Sequence, residues 1–272
     1  MALEVRGLAK AYGGVQALRG IDFSVQPGEC VALIGPNGAG KSTSFGCIAG
    51  QIAPDAGTVL WRGEDLMTWN PAQRLARGIA RTFQVAQVFD ALCVRDNLAL
   101  VLAPAAGHGL RWSPWRRLAA DAARVAKLLH YVGLQARADA IAGTLAYGER
   151  KRLELAIALA GVVGQTQRPC LLLLDEPAAG LAAAERAALM STVRALADGA
   201  GADLGLQRMA ILYTEHNMDA VFGVADRVVV LIEGQILAEG SPTAIAGDAR
   251  VRARYLGHGM VSMAGGADAG SH

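Results

Sequence analysis

Short apolar runs separated by glycine-rich turns set the pattern of this chain. Residues 3–6 and 21–25 alternate apolar and polar positions, which predicts half-buried antiparallel strands. Residues 30–34 and 170–174 are instead apolar at every position, as expected of central strands buried on both faces. Further strands are predicted over 57–61, 78–84 and 209–213, and a hairpin over 227–232 and 235–238 turning at Glu233-Gly234. A capped helix is expected around 71–77, and helical periodicity marks 96–103 and 119–132. A long helix opens near Leu145 and runs through Leu159, charged at its start and apolar along one face. Two short helices follow the hairpin to about residue 256, and the Gly/Ala/Ser-rich stretch 257–272 reads as a disordered tail.

Composition narrows the class. The chain has 272 residues, 53% of them apolar and 18% charged, enough for one large domain or two small ones around a sizeable core. A net charge of +2 does not suggest a nucleic-acid surface. No apolar run approaches the length needed to span a bilayer, and the opening residues lack the apolar region of a signal peptide. The expectation is a chain that neither crosses a membrane nor is secreted. Cys30, Cys47, Cys93 and Cys170 are scattered without C-x-x-C spacing, so buried free thiols in a reducing cytosol are expected rather than a metal site.

Candidate chemistry concentrates at strand ends. After the strand at 30–34 comes Gly35-Pro36-Asn37-Gly38-Ala39-Gly40-Lys41-Ser42-Thr43, which has the spacing of a phosphate-binding loop. Successive backbone N–H groups must curl around phosphate oxygens there, and side chains would obstruct them. The helix that follows points its positive end at the phosphates; Lys41 would reach the β- and γ-phosphates and the Ser42 hydroxyl would sit on Mg2+. The leucine strand ends in Asp175-Glu176, at the strand end where open α/β sheets place ligands. Asp175 is expected to hold Mg2+ and Glu176 to polarise the attacking water. His216, just past the strand at 209–213, could reach a γ-phosphate. Gln84 is an ordinary surface glutamine unless its strand ends near the loop, where its amide could ligate Mg2+ or orient water. Tyr12 could stack on a purine or serve as a turn tyrosine. Trp112 and Trp115, set among arginines in 107–117, suit either an interface or an exposed loop packed on the neighbouring helices.

The order of the phosphate loop, Gln84, Leu145-Ala146-Tyr147-Gly148-Glu149, Leu171-Leu172-Leu173-Leu174-Asp175-Glu176-Pro177 and Glu215-His216 resembles the ATP-binding subunits of ABC transporters, over the chain to about residue 256. Residues 13–18, 78–84, Tyr147 and 252–257 narrow the resemblance to the ATPases of high-affinity branched-chain amino-acid importers, to which those of urea and short-amide importers are similar. The resemblance implies an α/β fold: a P-loop NTPase (RecA-like) core over 1–90 and 160–256, an antiparallel β subdomain, and a helical signature subdomain over 91–159. It implies ATP and Mg2+ as ligands. Two cassettes would close head to tail, each ATP lying between one phosphate loop and the other chain's signature, Ala146, Tyr147, Gly148 and Glu149 here. Tyr12 would stack on adenine, Gln84 would sense the γ-phosphate, and His216 would be the switch histidine. Two transmembrane permease subunits and, indirectly, a solute-binding protein would be partners at the cytoplasmic face of the inner membrane, with no nucleic acid involved.

Other classes fit less well. DNA-handling relatives carry long heptad coiled coils, ribosome-acting ones hold two phosphate loops in one chain, and a non-catalytic scaffold would not need Glu176 and His216. The chain departs from the family pattern at three positions: Ala146 stands where serine is usual, Glu149 where glutamine is, and Ala182 where Asp or Asn is. Arg150 or Lys151 is expected to screen Glu149. Either the ATP site that borrows this chain's signature is weakened, or the changes are tolerated; the sequence leaves both open.

Overall fold

The computed structural model describes residues 3–82, 88–105, 114–164 and 169–256. Expectations attached to Gln84, to Trp112 and its neighbours in 107–113, and to the 257–272 tail fall outside these residues. The first half contains β1 (Leu3–Tyr12), β2 (Val15–Val25), β3 (Cys30–Ile34), α1 (Lys41–Ala49), β4 (Ala56–Trp61), β5 (Glu64–Asp65), α2 (Pro71–Ala76) and β6 (Ile79–Arg81). Next come three helices, α3 (Val94–Ala105), α4 (Pro114–Tyr131) and α5 (Tyr147–Ala160). The remainder alternates β7 (Leu171–Asp175), α6 (Ala183–Asp198), β8 (Ala210–Thr214), α7 (Met218–Phe222), β9 (Arg227–Ile232), β10 (Gln235–Gly240), α8 (Pro242–Gly247) and α9 (Ala249–Val251).

Two sheets result. The strands β2-β1-β4-β5 form an antiparallel sheet, and β10-β9-β3-β8-β7-β6 form a second that is parallel except for the β9–β10 hairpin. Because successive side chains point to opposite faces, the apolar strands of the larger sheet feed two cores. Val31, Leu33, Leu171 and Leu173 pack with α1 and the antiparallel sheet. Ala32, Ile34, Leu172 and Leu174 pack on the other face, in a core shared with Leu98, Leu128 and Leu153 of α3, α4 and α5. That double burial explains why these strands carry no polar alternation.

Several boundaries differ from the expected ones for identifiable reasons. The first two strands run 10 and 11 residues rather than four and five, meeting at a Gly13-Gly14 turn. Register shifts between Val5 and Leu8, Leu8 and Ala9, and Lys10 and Ala11 interrupt the period of two, so the alternation breaks off before the strand ends. Helix α6 was not anticipated; its buried face is Leu189, Met190, Val193, Leu196 and Ala197, but alanines elsewhere give little contrast with it. Cys30, Cys47 and Cys170 are buried, and burial pushes their thiols up to about 12, 11 and 11. No described helix is long and apolar enough to cross a membrane.

Arg74 fastens the helix behind the phosphate loop. It is 4% exposed and donates to the carbonyls of Cys47 and Ile48 in the last turn of α1, and to those of Leu66 and Trp69. The Cys47 carbonyl also accepts the Gly50 N–H at 3.2 Å, so the guanidinium fork adds a second donor there and supplies the donor to the Ile48 carbonyl. Arg74→Met should keep the packing of the stem but cost about 2–4 kcal/mol, because the carbonyls of Ile48 and Trp69 lose their donor while those of Cys47 and Leu66 keep only a backbone one. Chemical denaturation checks this; a loss under about 1 kcal/mol would mean water replaces the guanidinium.

Candidate active site at the ends of the parallel strands

The phosphate-loop residues leave the C-terminal end of β3 and enter α1 at Lys41. The loop rides close on neighbouring backbone. A Cβ at Gly35 (φ 153°) would lie 2.0 Å from the Leu231 carbonyl oxygen, and one at Gly40 (φ 104°) would lie 2.4 Å from that of Ala17. The Gly234 N–H, in the β9–β10 turn, donates to the Ala39 carbonyl at 3.0 Å. The α1 N-terminus is capped by Gly40 with no side-chain acceptor, which leaves its first-turn amides facing an anion site. Lys41 is buried and its Nζ donates to the Gly35 and Pro36 carbonyls at 2.7 and 3.0 Å. Burial pulls this ammonium below its ordinary value, opposed by the negative charges of Glu176 and Asp175. Pro36, Asn37, Gly38 and Ser42 lie on the open side of the loop, with Thr43 half-buried behind them.

The acids arrive on β7. Asp175 Oδ1 accepts the Thr214 hydroxyl at 2.8 Å, and its Oδ2 lies 3.4 Å from Arg81 Nη2. Glu176 adopts φ 49°, unusual for a residue with a side chain, and its N–H donates to the Thr214 hydroxyl at 2.9 Å. His216 Nε2 is 2.6 Å from Glu176 Oε1. With the carboxylate ionised, the imidazole N–H is the donor in that contact. The parallel register β7–β8, which pairs Asp175 with Thr214, is what brings Glu176 and His216 together. Among the described residues no cluster of three His, Cys, Asp or Glu side chains is placed to hold a metal. The donor set of one hydroxyl and one carboxylate fits Mg2+, which is commonly held by one or two protein groups and completed by substrate phosphates.

The signature residues form a second surface. Ala146 is the N-cap of α5 and offers no side-chain acceptor; its N–H donates to Glu149 Oε2 at 3.1 Å. The cation that meets Glu149 is neither Arg150 nor Lys151. Arg150 pairs with Asp90 at 2.7 Å and Lys151 with Glu154 at 3.2 Å, whereas Arg137 Nε lies 2.8 Å from Glu149 Oε1. Arg150 and Lys151, one and two residues after Glu149, project from other faces of the helix, whereas Arg137, from the 3-10 turn at 135–137, reaches Glu149 and Arg152 adds its charge. The hydrogen bond from Arg137 holds the Glu149 carboxyl below the usual carboxylate range. Tyr147 donates its hydroxyl to the Ala179 carbonyl at 3.2 Å, and its ring covers Gly180, tying the signature to the loop after Glu176. Glu185 of α6 lies against Gly148, where a Cβ would meet its Oε1 at 2.5 Å. Ala182 is the N-cap of α6, again without a side-chain acceptor.

Tyr12 is half-exposed at the end of β1, with the Lys10 ammonium 5.5 Å from its ring centroid. Sequence reasoning gave no role to Thr214, Glu215, Arg137, Glu185 or Tyr255, whose hydroxyl accepts the Gly35 N–H. The only local sign was polar residues set directly after an apolar strand at 214–215. For the rest the sequence carries no signal.

An arrangement of this kind can bind a nucleotide's phosphates and cleave one with water. The chain is 37% identical over 262 residues to the high-affinity branched-chain amino acid transport ATP-binding protein LivG of Escherichia coli (strain K12), covering 94% of this chain and 97% of that one. It is 36% identical over 267 residues to BraF of Pseudomonas aeruginosa, a protein of the same description, with the same coverage. The structure superposes on the ADP conformation of MJ1267, an ATP-binding cassette of an ABC transporter, with a TM-score of 0.75 at 29% identity, over 94% of this chain and 98% of that one. The family model described as "ABC transporter" matches residues 18–179, more than half of the chain. The chain belongs to the ABC transporter ATP-binding proteins: it is an ABC transporter ATPase with the P-loop NTPase cassette fold.

Proposed function

We propose that this chain is the motor of an importer for branched-chain amino acids, working with a second cassette and two membrane-spanning permease subunits. The observation that supports the hydrolytic role most directly is the 2.6 Å contact between Glu176 and His216 beside buried Lys41. Lys41 and the loop amides bind and orient the phosphates. Glu176 accepts a proton from the attacking water, and His216 holds that carboxylate before turning to the γ-phosphate. Ser42 and Asp175 would hold Mg2+, which supplies charge neutralisation between the β- and γ-phosphates. Tyr12 stacks on the adenine and Gln84 senses the γ-phosphate.

The second cassette would lay its signature over this loop, while residues 146–149 here cover the partner's ATP. A hollow of about 310 Å³ between α2, β6, α3 and α5 includes Leu75, Val101 and Ile157 in its lining. It adjoins the strand leading to Gln84 and suits an apolar cytoplasmic segment of a permease. Residues 1–90 and 160–256 would act as the core and 91–159 as the signature subdomain, the whole held at the cytoplasmic face of the membrane. The substrate reading rests on the likeness to LivG and BraF. Coexpressed with its permeases and reconstituted, the complex should hydrolyse ATP faster in the presence of a leucine-loaded binding protein. Stimulation by urea or a short amide instead would move the assignment to that class of importer.

A further inference from the structure

Three consecutive residues at the end of β8 each grip the segment that carries Glu176. Thr214 bonds Asp175 and the Glu176 N–H, and His216 bonds the Glu176 carboxylate. Glu215, between them, plays no part in the chemistry described above, yet it is a carboxylate only 2% exposed. Its Oε1 accepts the Ala178 N–H at 2.8 Å and its Oε2 accepts the His216 N–H at 3.2 Å, with the Asn217 N–H as a third donor. Burial raises its pKa, and those three backbone bonds oppose the rise.

The topology of these bonds is informative. Ala178 is two residues beyond Glu176, and His216 is the other member of the contact pair. One buried side chain therefore ties the loop two residues past Glu176 and the backbone of His216 to a common point. Thr214 holds Glu176 from the β7 side and Glu215 from the side of the following loop, where the backbone has just passed through the strained φ of 49°. Three converging N–H groups demand a group that only accepts. A carboxylate does so, whereas the amide of glutamine would turn two hydrogens toward backbone donors.

We infer that Glu215 is a positioning residue for hydrolysis: by clamping the Ala178 and His216 amides it sets the Glu176–His216 geometry and so governs turnover without touching ATP. The inference rests on the reading that Glu176 and His216 serve hydrolysis. Loss of the clamp should shift those groups by a fraction of an ångström to an ångström, a displacement that costs about ten- to a hundred-fold in rate.

The test uses the full chain in the assembled transporter. Glu215→Gln should lower kcat by about ten-fold or more, with KM for ATP and affinity for a fluorescent ATP analogue within about two-fold of the parent. In a His216→Ala background the same change should add nothing further, because the pair it positions is gone. Glu176→Gln serves as the control. If Glu176→Gln leaves hydrolysis intact, the catalytic reading itself fails. If Glu176→Gln stops hydrolysis while Glu215→Gln keeps the parental kcat, the clamp is overturned. A loss of ATP affinity in parallel with kcat, or an additive loss in the His216→Ala background, would also overturn it, by marking Glu215 as generally structural. Should Glu215→Gln fail to fold, Glu215→Asp, one methylene too short to bridge both amides, is judged by the same criteria.

Discussion

Glu176→Gln should cut ATP turnover by about two to four orders of magnitude, the range that a positioned general base contributes. Glutamine keeps the shape of the side chain and can still meet His216, but it cannot take a proton from water. The groups proposed to bind ATP are elsewhere, in Lys41 and the loop N–H groups after Pro36, so affinity should be retained. Affinity should even rise slightly. Glu176 is one of the two carboxylates whose charge acts on Lys41, and removing it leaves the ammonium more available to phosphate. Equilibrium binding of ATP together with steady-state hydrolysis checks both halves.

The same variant tests whether the two ATP sites differ. Neither Ala146 nor Ala182 can cap its helix through a side chain, and such caps are typically worth about 1 kcal/mol each. In the proposed head-to-tail pairing both would sit on the face offered to the partner's nucleotide, whereas the charge of Glu149 is matched by Arg137. The site built on this chain's own loop should therefore carry more of the turnover. Glu176→Gln here should cost more than the equivalent change in the second cassette. Equal losses would sink the idea of unequal sites and leave Ala146 and Ala182 as tolerated changes.

Gly35→Ala should abolish ATP binding and lower stability by several kcal/mol, because its Cβ would sit 2.0 Å from the Leu231 carbonyl oxygen and 3.2 Å from the Ala39 Cβ. Both obstacles are part of the frame: β9 is hydrogen-bonded to β3, and Ala39 is inside the loop. Relief requires lifting the loop off β9, which breaks the Lys41 bonds to the Gly35 and Pro36 carbonyls and moves the first turn of α1. Gly38→Ala is the informative contrast. No heavy atom lies within 4 Å of its Cβ position, so only φ 79° penalises it, by about 1–2 kcal/mol. Thermal unfolding should separate the two variants clearly. Near-parental ATP affinity in Gly35→Ala would show that the loop is not held by β9 in the way argued here.

Much of the site was readable because its chemistry uses contiguous residues. Gly35 to Thr43 follow β3, Asp175 closes β7 with Glu176 next to it, and His216 lies two residues past β8, so spacing alone picks out the groups proposed to face a phosphate. Less was readable wherever a residue acts through a distant partner. Arg74 looks like any helix-surface arginine until α1 is seen ending against it. Arg137 carries no sign that it will meet Glu149 in place of the adjacent Arg150 and Lys151. Glu215 reads as an ordinary acid beside a histidine, and α6 is hidden by its alanines.

The amino-acid sequence by itself determined the nucleotide loop, the acid pair, the two-faced burial of the parallel strands and the family. These depend on short periodicities and on steric demands within a few residues. Only the tertiary structure decided which charge answers which, how Thr214 and Glu215 hold Glu176, and which backbone Gly35 must clear. Those choices follow from strand register and helix rotation, which bring together groups as far apart in sequence as Gly35 and Leu231, and no local pattern records them.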